Sequence, residues 1–430
     1  MECELRKSES LRANFLTLYG LHFANILLPM ITLPYLTRVL GPAEFGVVGF
    51  VQACGGYISL VVEFGFGLAA MREVARWRND KERLGRILAG VIGAKCLLGL
   101  LALIFIFALR FSVPMLRGRS EMVWAGAFWA IGQGATLAWF FVGLEGMGTV
   151  ARIEIAVKAA STAVVFLAVR NPSHSFRLLI IQGTGCFVAM TLTLLAASRR
   201  VPLRLPTVPD VLQAFRTGSS MFLFRSAASF YTLGNTVILG FYAPVLNVAY
   251  YSGAERIVRA MLGLLGPANQ ALFPRLAHLV KVDKPRAAQL TNKSAVAIAG
   301  LAGLTALMVS VIAPFCVRMA LGPGFEKSAS DLRILILLLP IVALSNTYGI
   351  RWMLPLNLDR QFNVIIISAG FLNALVAFLI APRYADLGMA YTVVGSELFV
   401  TIAIFIFLKL KGLSPIAVAH GAASTAVFKD

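Results

Sequence analysis

Long uninterrupted apolar blocks dominate this sequence. Ala295–Phe315 and Phe362–Pro382 contain no charged residue, and Ile87–Leu109 contains only Lys95. A helix needs about 20 predominantly apolar residues to cross the hydrocarbon core of a bilayer, and a helix of a soluble protein rarely stays apolar on all faces for that length. The blocks therefore predict membrane-spanning helices.

The same pattern continues along the chain and predicts an all-α integral membrane protein with about twelve transmembrane helices in two six-helix lobes. Gly, Pro, Asn or Asp mark most of the connectors. The predicted lobes cover 1–200 and 218–408, with a cytoplasmic connector at 201–217 and a cytoplasmic tail at 409–430. The predicted spans are 14–37, 45–70, 87–109, 122–144, 150–169, 177–197, 218–241, 247–272, 291–317, 330–350, 362–381 and 387–408.

Composition and charge agree with this topology. Hydrophobic residues make up 58% of the chain and charged residues 14%, against about 25% charged in soluble proteins. Basic residues outnumber acidic ones by 39 to 20. With the N-terminus inside, the cytoplasmic segments, Arg351 and Arg360 among them, hold more than twice as many bases as the outer ones. The positive-inside rule therefore predicts cytoplasmic termini. The basic clusters flank spans without a binding motif, so nucleic acid is not a predicted partner.

Some charges lie inside predicted spans, where an ionisable residue is a candidate functional site. Lys158 follows Glu154 by four residues, and Arg259 follows Glu255 by four. At this spacing a base and a carboxylate pair on one helix face. A local ion pair and a substrate contact therefore stay equally open for Lys158, Arg259 and the neighbouring Arg256.

Four other charges have no opposite charge three or four residues away: Lys95, Arg225, Glu63 and Glu397. Each must pair with another helix or line a water-filled cavity. We favour the cavity for Lys95 and Arg225. Glu63 and Glu397 are candidates for proton coupling, because a carboxyl group in the membrane titrates near neutrality.

Depth in the membrane groups three of these bases. Lys95, Lys158 and Arg225 each lie about seven or eight residues from the cytoplasmic end of an outward-running span, on the order of 11–12 Å deep. Three bases at one level predict a positively charged chamber that is reached from the cytoplasm. A chamber of this kind suits an anionic substrate, and diphosphate is the candidate.

Helix-breaking residues mark the first hairpin. Pro29, Pro34 and Gly41 are candidates for kinks or gating points, because Pro removes a backbone hydrogen bond and Gly permits close helix approach. Bent spans beside a cavity are what an alternating-access transporter needs. Static packing explains the same residues equally well.

Catalytic signals are missing from the sequence. It has no Walker-type phosphate loop, no HExxH and no GxSxG. The four histidines are scattered, so no metal site is predicted. We therefore expect no enzyme, no catalytic residue and no cofactor, and an ion or proton gradient is the candidate energy source.

Several motifs resemble a known family. The block Leu28–Pro42, followed by Glu44–Gly46, resembles the N-terminal signature of polysaccharide-biosynthesis flippases. These are the Wzx-type O-antigen translocases of the MOP exporter superfamily. The likeness recurs at Trp139–Glu145 and Tyr250–Ile257, and it covers roughly residues 10–360.

The resemblance implies a two-lobed transporter with a charged central cavity, onto which the unpaired bases map. Such proteins move undecaprenyl-diphosphate-linked oligosaccharide repeat units to the periplasmic leaflet of the bacterial inner membrane by alternating access, for O-antigen (lipopolysaccharide) or exopolysaccharide synthesis. The implied partners are that substrate, membrane lipids, a polysaccharide polymerase and a chain-length regulator.

Two alternatives remain at this point. Another exporter of the same superfamily, for lipid II or for drugs, has the same topology. An antiporter for cationic drugs predicts acidic residues deep in the N-terminal spans, where this sequence has Lys95 and Lys158. A membrane polymerase or glycosyltransferase needs a large catalytic loop, whereas the longest connectors here are only about 20 residues.

Overall fold

The computed structural model describes the backbone of residues 2–109 and 114–419. Within that part of the chain all regular structure is helical, with 3₁₀ and π turns beside the α-helices. Seven helical stretches of the described residues are long and apolar enough to cross a membrane. The all-α membrane fold predicted from the apolar blocks is therefore confirmed.

The helices follow the predicted spans closely. In the first half they are α1 Glu2–Glu63, α2 Phe66–Arg76, α3 Lys81–Leu109, α4 Ser120–Gly134, α5 Ala138–Gly143, α6 Met147–Ala168, α7 Ser175–Ser198 and α8 Val208–Tyr242. In the second half they are α9 Val245–Gly263, α10 Gly266–Val282, α11 Lys284–Val311, α12 Ala313–Ala320, α13 Ser328–Leu335, α14 Leu338–Ser345, a π-helix Asn346–Met353, α15 Asp359–Leu410 and α16 Pro415–Ala419.

Two helices contain an internal break where the sequence predicts the boundary between two spans. Gly41 (φ 68°, ψ 171°) interrupts α1, and Ala385 (φ 45°, ψ −127°) interrupts α15. Glycine reaches a positive φ without penalty because it lacks Cβ, whereas an alanine there is strained. Pro29 and Pro34 lie inside α1. Each of the two long helices therefore provides two membrane-length segments.

Other predicted spans are discontinuous. The span predicted at 122–144 is divided into α4 and α5, and the span at 247–272 is divided into α9 and α10. The span at 45–70 is interrupted between α1 and α2. Broken helices at membrane depth leave backbone groups that need partners from elsewhere in the protein. The breaks between α1 and α2 and between α4 and α5 shape the candidate site below.

The chain divides into two compact units, Met1–Ser229 and Phe230–Asp430. This division falls within α8, and the domain bounds derived from the sequence stay a prediction. In the first unit, α4 packs against α1 and α7, and α2 packs against α5. In the second unit, α11 packs against α14 and α16, and α13 packs against α9 and α15.

Packing in both units relies on close approach between helices, because lipid provides no hydrophobic force that drives helices together. A Cβ on Gly134 would lie 2.8 Å from the Ser59 carbonyl oxygen, so only glycine fits there. Large apolar side chains cover the outer faces: Phe105 on α3 is 59% exposed and Val296 on α11 is 76% exposed. Such faces suit contact with lipid tails.

Candidate functional site

The break between α1 and α2 is capped by a carboxylate. Phe64 (φ 45°) and Gly65 (φ 73°) adopt left-handed backbone conformations that separate the two helices. Glu63 accepts hydrogen bonds from the Gly67 N–H at 2.6 Å and from the Gly65 N–H at 3.2 Å. The N-terminus of a helix has unpaired N–H groups and a partial positive charge, so a carboxylate stabilises it.

The break between α4 and α5 is capped by an ammonium group. Lys95 on α3 donates from Nζ to the carbonyl oxygens of Gly134 and Thr136, each at 2.8 Å. The lysine is only 4% exposed. The C-terminus of a helix has unpaired carbonyl groups and a partial negative charge, so the cation matches it.

The two breaks are neighbours. Gly134 lies against Ser59 and Val62 in the last turns of α1, α2 packs on α5, and the charge of Glu63 acts on Lys95. Two opposite charges therefore stabilise two adjacent helix ends. The predicted roles of Lys95 in diphosphate binding and of Glu63 in proton coupling stay predictions.

Lys158 on α6 has partners on two helices. Its Nζ donates to Asn25 Oδ1 on α1 at 2.5 Å and to Glu154 Oε2 at 3.3 Å. The structure thus contains the local ion pair that the sequence left open. The Lys158 side chain is 45% exposed. An ammonium group has three donors, so this one has capacity for a further acceptor.

The basic residues of the second unit lie on α9. Arg259 Nη2 donates to Glu255 Oε1 at 2.7 Å, and the Arg259 side chain is 50% exposed. Thr236 Oγ1 donates to the other Glu255 oxygen at 3.3 Å. Arg256 is partly buried beside this pair. The local pairing of Arg259 is therefore present, with half of the guanidinium side chain still accessible.

Two candidates from the sequence remain to be placed. The side chain of Arg225 lies outside the described residues. Glu397 is partly buried on α15. Neither predicted role, diphosphate binding for Arg225 or proton coupling for Glu397, is tested by these positions.

A buried neutral network was missed by the sequence analysis. Asn373 Nδ2 donates to Asn235 Oδ1 at 2.8 Å, and Ser396 Oγ donates to Asn373 Oδ1 at 3.0 Å. These side chains link α8 to both arms of α15, and none is more than 5% exposed. Uncharged amides and hydroxyls inside apolar blocks do not stand out in a search for charges.

Arg351 corrects an assignment made from the sequence. Its position predicted a cytoplasmic connector, but the structure buries it completely in the π-helix. Nη2 donates to Thr347 Oγ1. Nε and Nη1 have no partner among the described residues. The error arose because the π-helix carries the helical path beyond the predicted end of that span.

A surface groove of about 580 Å³ runs along α15. Apolar side chains such as Phe399 and Ile402 line most of it, and Arg360 and Gln361 lie at one end. In the part of the chain that the structure describes, no three His, Cys, Asp or Glu side chains lie close enough to hold a metal ion.

Comparison with known proteins adds a family match over most of the chain. Residues 11–280 match the model of a family described as polysaccharide biosynthesis protein. A protein of Escherichia coli (strain K12) named "Putative O-antigen transporter" is 30% identical over 93% of this chain and 97% of its own length. A protein of Shigella dysenteriae with the same name is 26% identical over 91% of this chain and 98% of its own length.

Solved structures show the same fold at low identity. The lipid II flippase MurJ in an inward closed conformation superposes with a TM-score of 0.67 at 11% identity, covering 95% of this chain and 90% of that one. An inward-facing multidrug resistance transporter of the MATE family, from the MOP superfamily, gives a TM-score of 0.63 at 14% identity, covering 94% and 100%. These likenesses support the transporter fold that the topology indicated.

Proposed function

The chain belongs to the polysaccharide biosynthesis protein family, and from this premise we propose that it is a lipid-linked oligosaccharide flippase. It moves undecaprenyl-diphosphate-linked repeat units from the cytoplasmic to the periplasmic leaflet by alternating access, for O-antigen or exopolysaccharide synthesis. The names of its relatives support the substrate class, and the multi-pass helical fold supports transport rather than catalysis.

The observation that carries this proposal is the pair of capped helix breaks in the first unit. Discontinuous membrane helices are a recurrent feature of transporters, because their free ends bind charged groups and allow neighbouring segments to tilt. Here Glu63 and Lys95 supply opposite charges to adjacent ends. Each charge thus pairs with two of the backbone groups at its break.

We further propose that the accessible bases bind the diphosphate of the substrate. Lys158 and Arg259 are half-exposed, and each is held by a glutamate one turn away on its own helix. A diphosphate, with several strong acceptor oxygens, competes with such a carboxylate for the base. From the sequence analysis we keep three further bases in the proposed set, Arg256, Arg225 and the buried Lys95.

The remaining features of the proposal concern energy and location. Glu63 and Glu397 are the proposed carriers of coupling protons, and the ion or proton gradient replaces a bound cofactor. The protein resides in the bacterial inner membrane with both termini in the cytoplasm. This orientation places the more basic connectors on the cytoplasmic side, as the positive-inside rule requires. A polysaccharide polymerase and a chain-length regulator would receive the translocated unit.

A leaflet-exchange assay tests the proposal. The purified full-length protein is reconstituted in liposomes that contain an undecaprenyl-diphosphate-linked oligosaccharide with a fluorophore on its sugar. Membrane-impermeant dithionite bleaches the outer leaflet only, so empty liposomes retain about half of the signal. A flippase brings the labelled lipid of the inner leaflet to the outer leaflet, where dithionite bleaches it, so nearly all of the fluorescence is lost. Retention equal to empty liposomes, or movement of a cationic dye instead, contradicts the proposal.

Matched variants test the proposed contacts. Lys158→Gln and Arg259→Gln should slow the loss of fluorescence. Arg152→Gln is the control, because Arg152 lies on the same helix as Lys158 and its Nε donates to the Gly148 carbonyl of its own helix at 3.1 Å. Equal slowing in the control variant would show that net charge, rather than a specific contact, matters.

A further inference from the structure

Asp331 is a fully buried acidic residue in the second unit. It lies in the first turn of α13, with no exposed surface. Both of its carboxyl oxygens are buried without a hydrogen-bond donor among the described residues. A buried ionised carboxyl group without a partner is strongly unfavourable, so this position requires a specific explanation.

The groups around Asp331 are also acidic or hydroxylic. Asp386 on α15, only 8% exposed, faces Asp331 within hydrogen-bonding reach. It accepts a hydrogen bond from Asn247 Nδ2 on α9 at 2.6 Å. The hydroxyl group of Tyr251, a residue with no exposed surface, is unpartnered within the described structure and lies in electrostatic range of Asp331. Ser328, one turn before Asp331, also has a buried hydroxyl group without a partner in that part of the chain.

The bases near this cluster have other partners. On α9, Arg259 is paired with Glu255 at 2.7 Å. On α13 itself, Arg333 Nε donates to the Ser310 carbonyl at 3.2 Å. In the preceding loop, Lys327 Nζ lies 6.0 Å from the centre of the Tyr250 ring.

The other charged groups on the packed elements do not donate to Asp331 either. They include Glu326 in the loop, Arg318 on α12, Arg256 on α9 and Arg383 on α15. Hydrogen bonds from backbone N–H groups lower the pKa of Glu326, which accepts from the Gly324 N–H at 3.0 Å. Across the described residues, no donor reaches the Asp331 carboxyl oxygens.

In the first unit, by contrast, a partly buried carboxylate is paired with a base. There Glu44 accepts from Arg119 Nη1 at 2.5 Å and from Ser175 Oγ at 2.7 Å, so a base neutralises the carboxylate. Two ionised carboxylates offer only acceptors and repel each other, whereas a singly protonated pair has one O–H donor and one acceptor. A single proton therefore satisfies the facing oxygens of Asp331 and Asp386.

We propose that Asp331 and Asp386 form a proton-binding site that couples a proton gradient to movement of the second unit. The pair takes up one proton from water and becomes a carboxyl–carboxylate pair with a single negative charge. Release of that proton to water leaves two repelling carboxylates. Asp386 directly follows Ala385, the strained break in α15, so the repulsion acts at the joint between the two arms of that helix.

Infrared spectroscopy of the full-length protein in liposomes tests proton binding without any substrate. A protonated carboxyl group has a C=O stretching band that shifts in heavy water. We expect such a band at neutral pH, its loss in both Asp331→Asn and Asp386→Asn, and its retention in Asp359→Asn, an exposed control on α15. Asp331→Glu should keep a band at a shifted frequency, which also shows that this position tolerates substitution.

Two results would overturn the proton site. One is a band that survives in both asparagine variants, because the proton would then belong to other groups. The other is a band that sodium chloride removes at constant pH, because a sodium ion would then occupy the pair.

The coupling claim rests on the proposed flippase function and is tested separately. In the dithionite assay, an inwardly or outwardly directed pH gradient should change the wild-type rate several-fold and should not change the Asp331→Asn rate. An Asp331→Asn variant that still responds to the gradient overturns the coupling claim for this pair and leaves Glu63 and Glu397 as the proposed carriers. If the wild type fails to move the labelled lipid, the flippase proposal fails, while the infrared band still decides whether the pair binds a proton.

Discussion

Replacing Lys95 with methionine removes the donor that two buried carbonyl groups share. Methionine has nearly the same length, so the main change is the loss of the hydrogen bonds to Gly134 and Thr136, each 2.8 Å long. A buried carbonyl left without a donor costs roughly 1–3 kcal/mol. Because the variant no longer has to desolvate an ammonium group, part of that cost is recovered. We expect a net loss of about 2 kcal/mol in the free energy of unfolding.

Heating the detergent-solubilised protein while recording tryptophan fluorescence measures this loss. For a unit of this size, about 2 kcal/mol corresponds to a fall in Tm of roughly 4–8 °C. Lys158→Met is the matched control, because its ammonium group also has two partners but is 45% exposed. We expect it to lose no more than about 1 kcal/mol. If Lys95→Met has the same Tm as the wild type yet transports no substrate, Lys95 binds the substrate and our account of the helix ends is wrong.

Two further substitutions probe the backbone and a buried charge in the same melting assay. Gly65→Ala should cost about 1–3 kcal/mol or more, because φ is +73° and its Cβ would lie 2.6 Å from the Phe222 nitrogen. Gly300→Ala should gain up to about 1 kcal/mol, because beyond its own stretch of helix no atom lies within 4 Å of the new Cβ. Equal effects of the two substitutions would contradict the strain argument. Arg351→Met should leave stability unchanged or raise it by about 1 kcal/mol or more, since a buried guanidinium with unpaired nitrogens is expensive. A lower Tm in that variant would mean that the charge is compensated.

The positions of the spans were predictable because membrane insertion depends on local composition. About 20 consecutive apolar residues favour the bilayer whatever surrounds them. The span predicted at 87–109 corresponds to Lys81–Leu109, and the spans at 362–381 and 387–408 correspond to the two arms of α15. The break at Ala385 lies between them.

Local spacing also indicated some candidate pairs but not others. The spacing between Glu154 and Lys158 left an ion pair and a substrate contact equally open, and the structure contains the ion pair. Lys95 has no opposite charge within four residues, and its partners proved to be carbonyl groups about 40 positions away. That arrangement depends on α4 ending at Gly134, and helix ends inside an apolar block leave little trace in the sequence.

Sequence alone therefore determined the membrane-spanning helical fold, the family and a list of charges inside the predicted spans, from which Asp331 was missing. Tertiary structure decided what surrounds each charge: a helix end lies at Lys95 and at Glu63, and a second acid, Asp386, lies beside Asp331. The physical reason is the range of the forces involved. The free energy of insertion into lipid is a sum over the residues of one segment. The energy of a buried charge depends instead on atoms within a few ångströms, and remote parts of the chain supply those atoms.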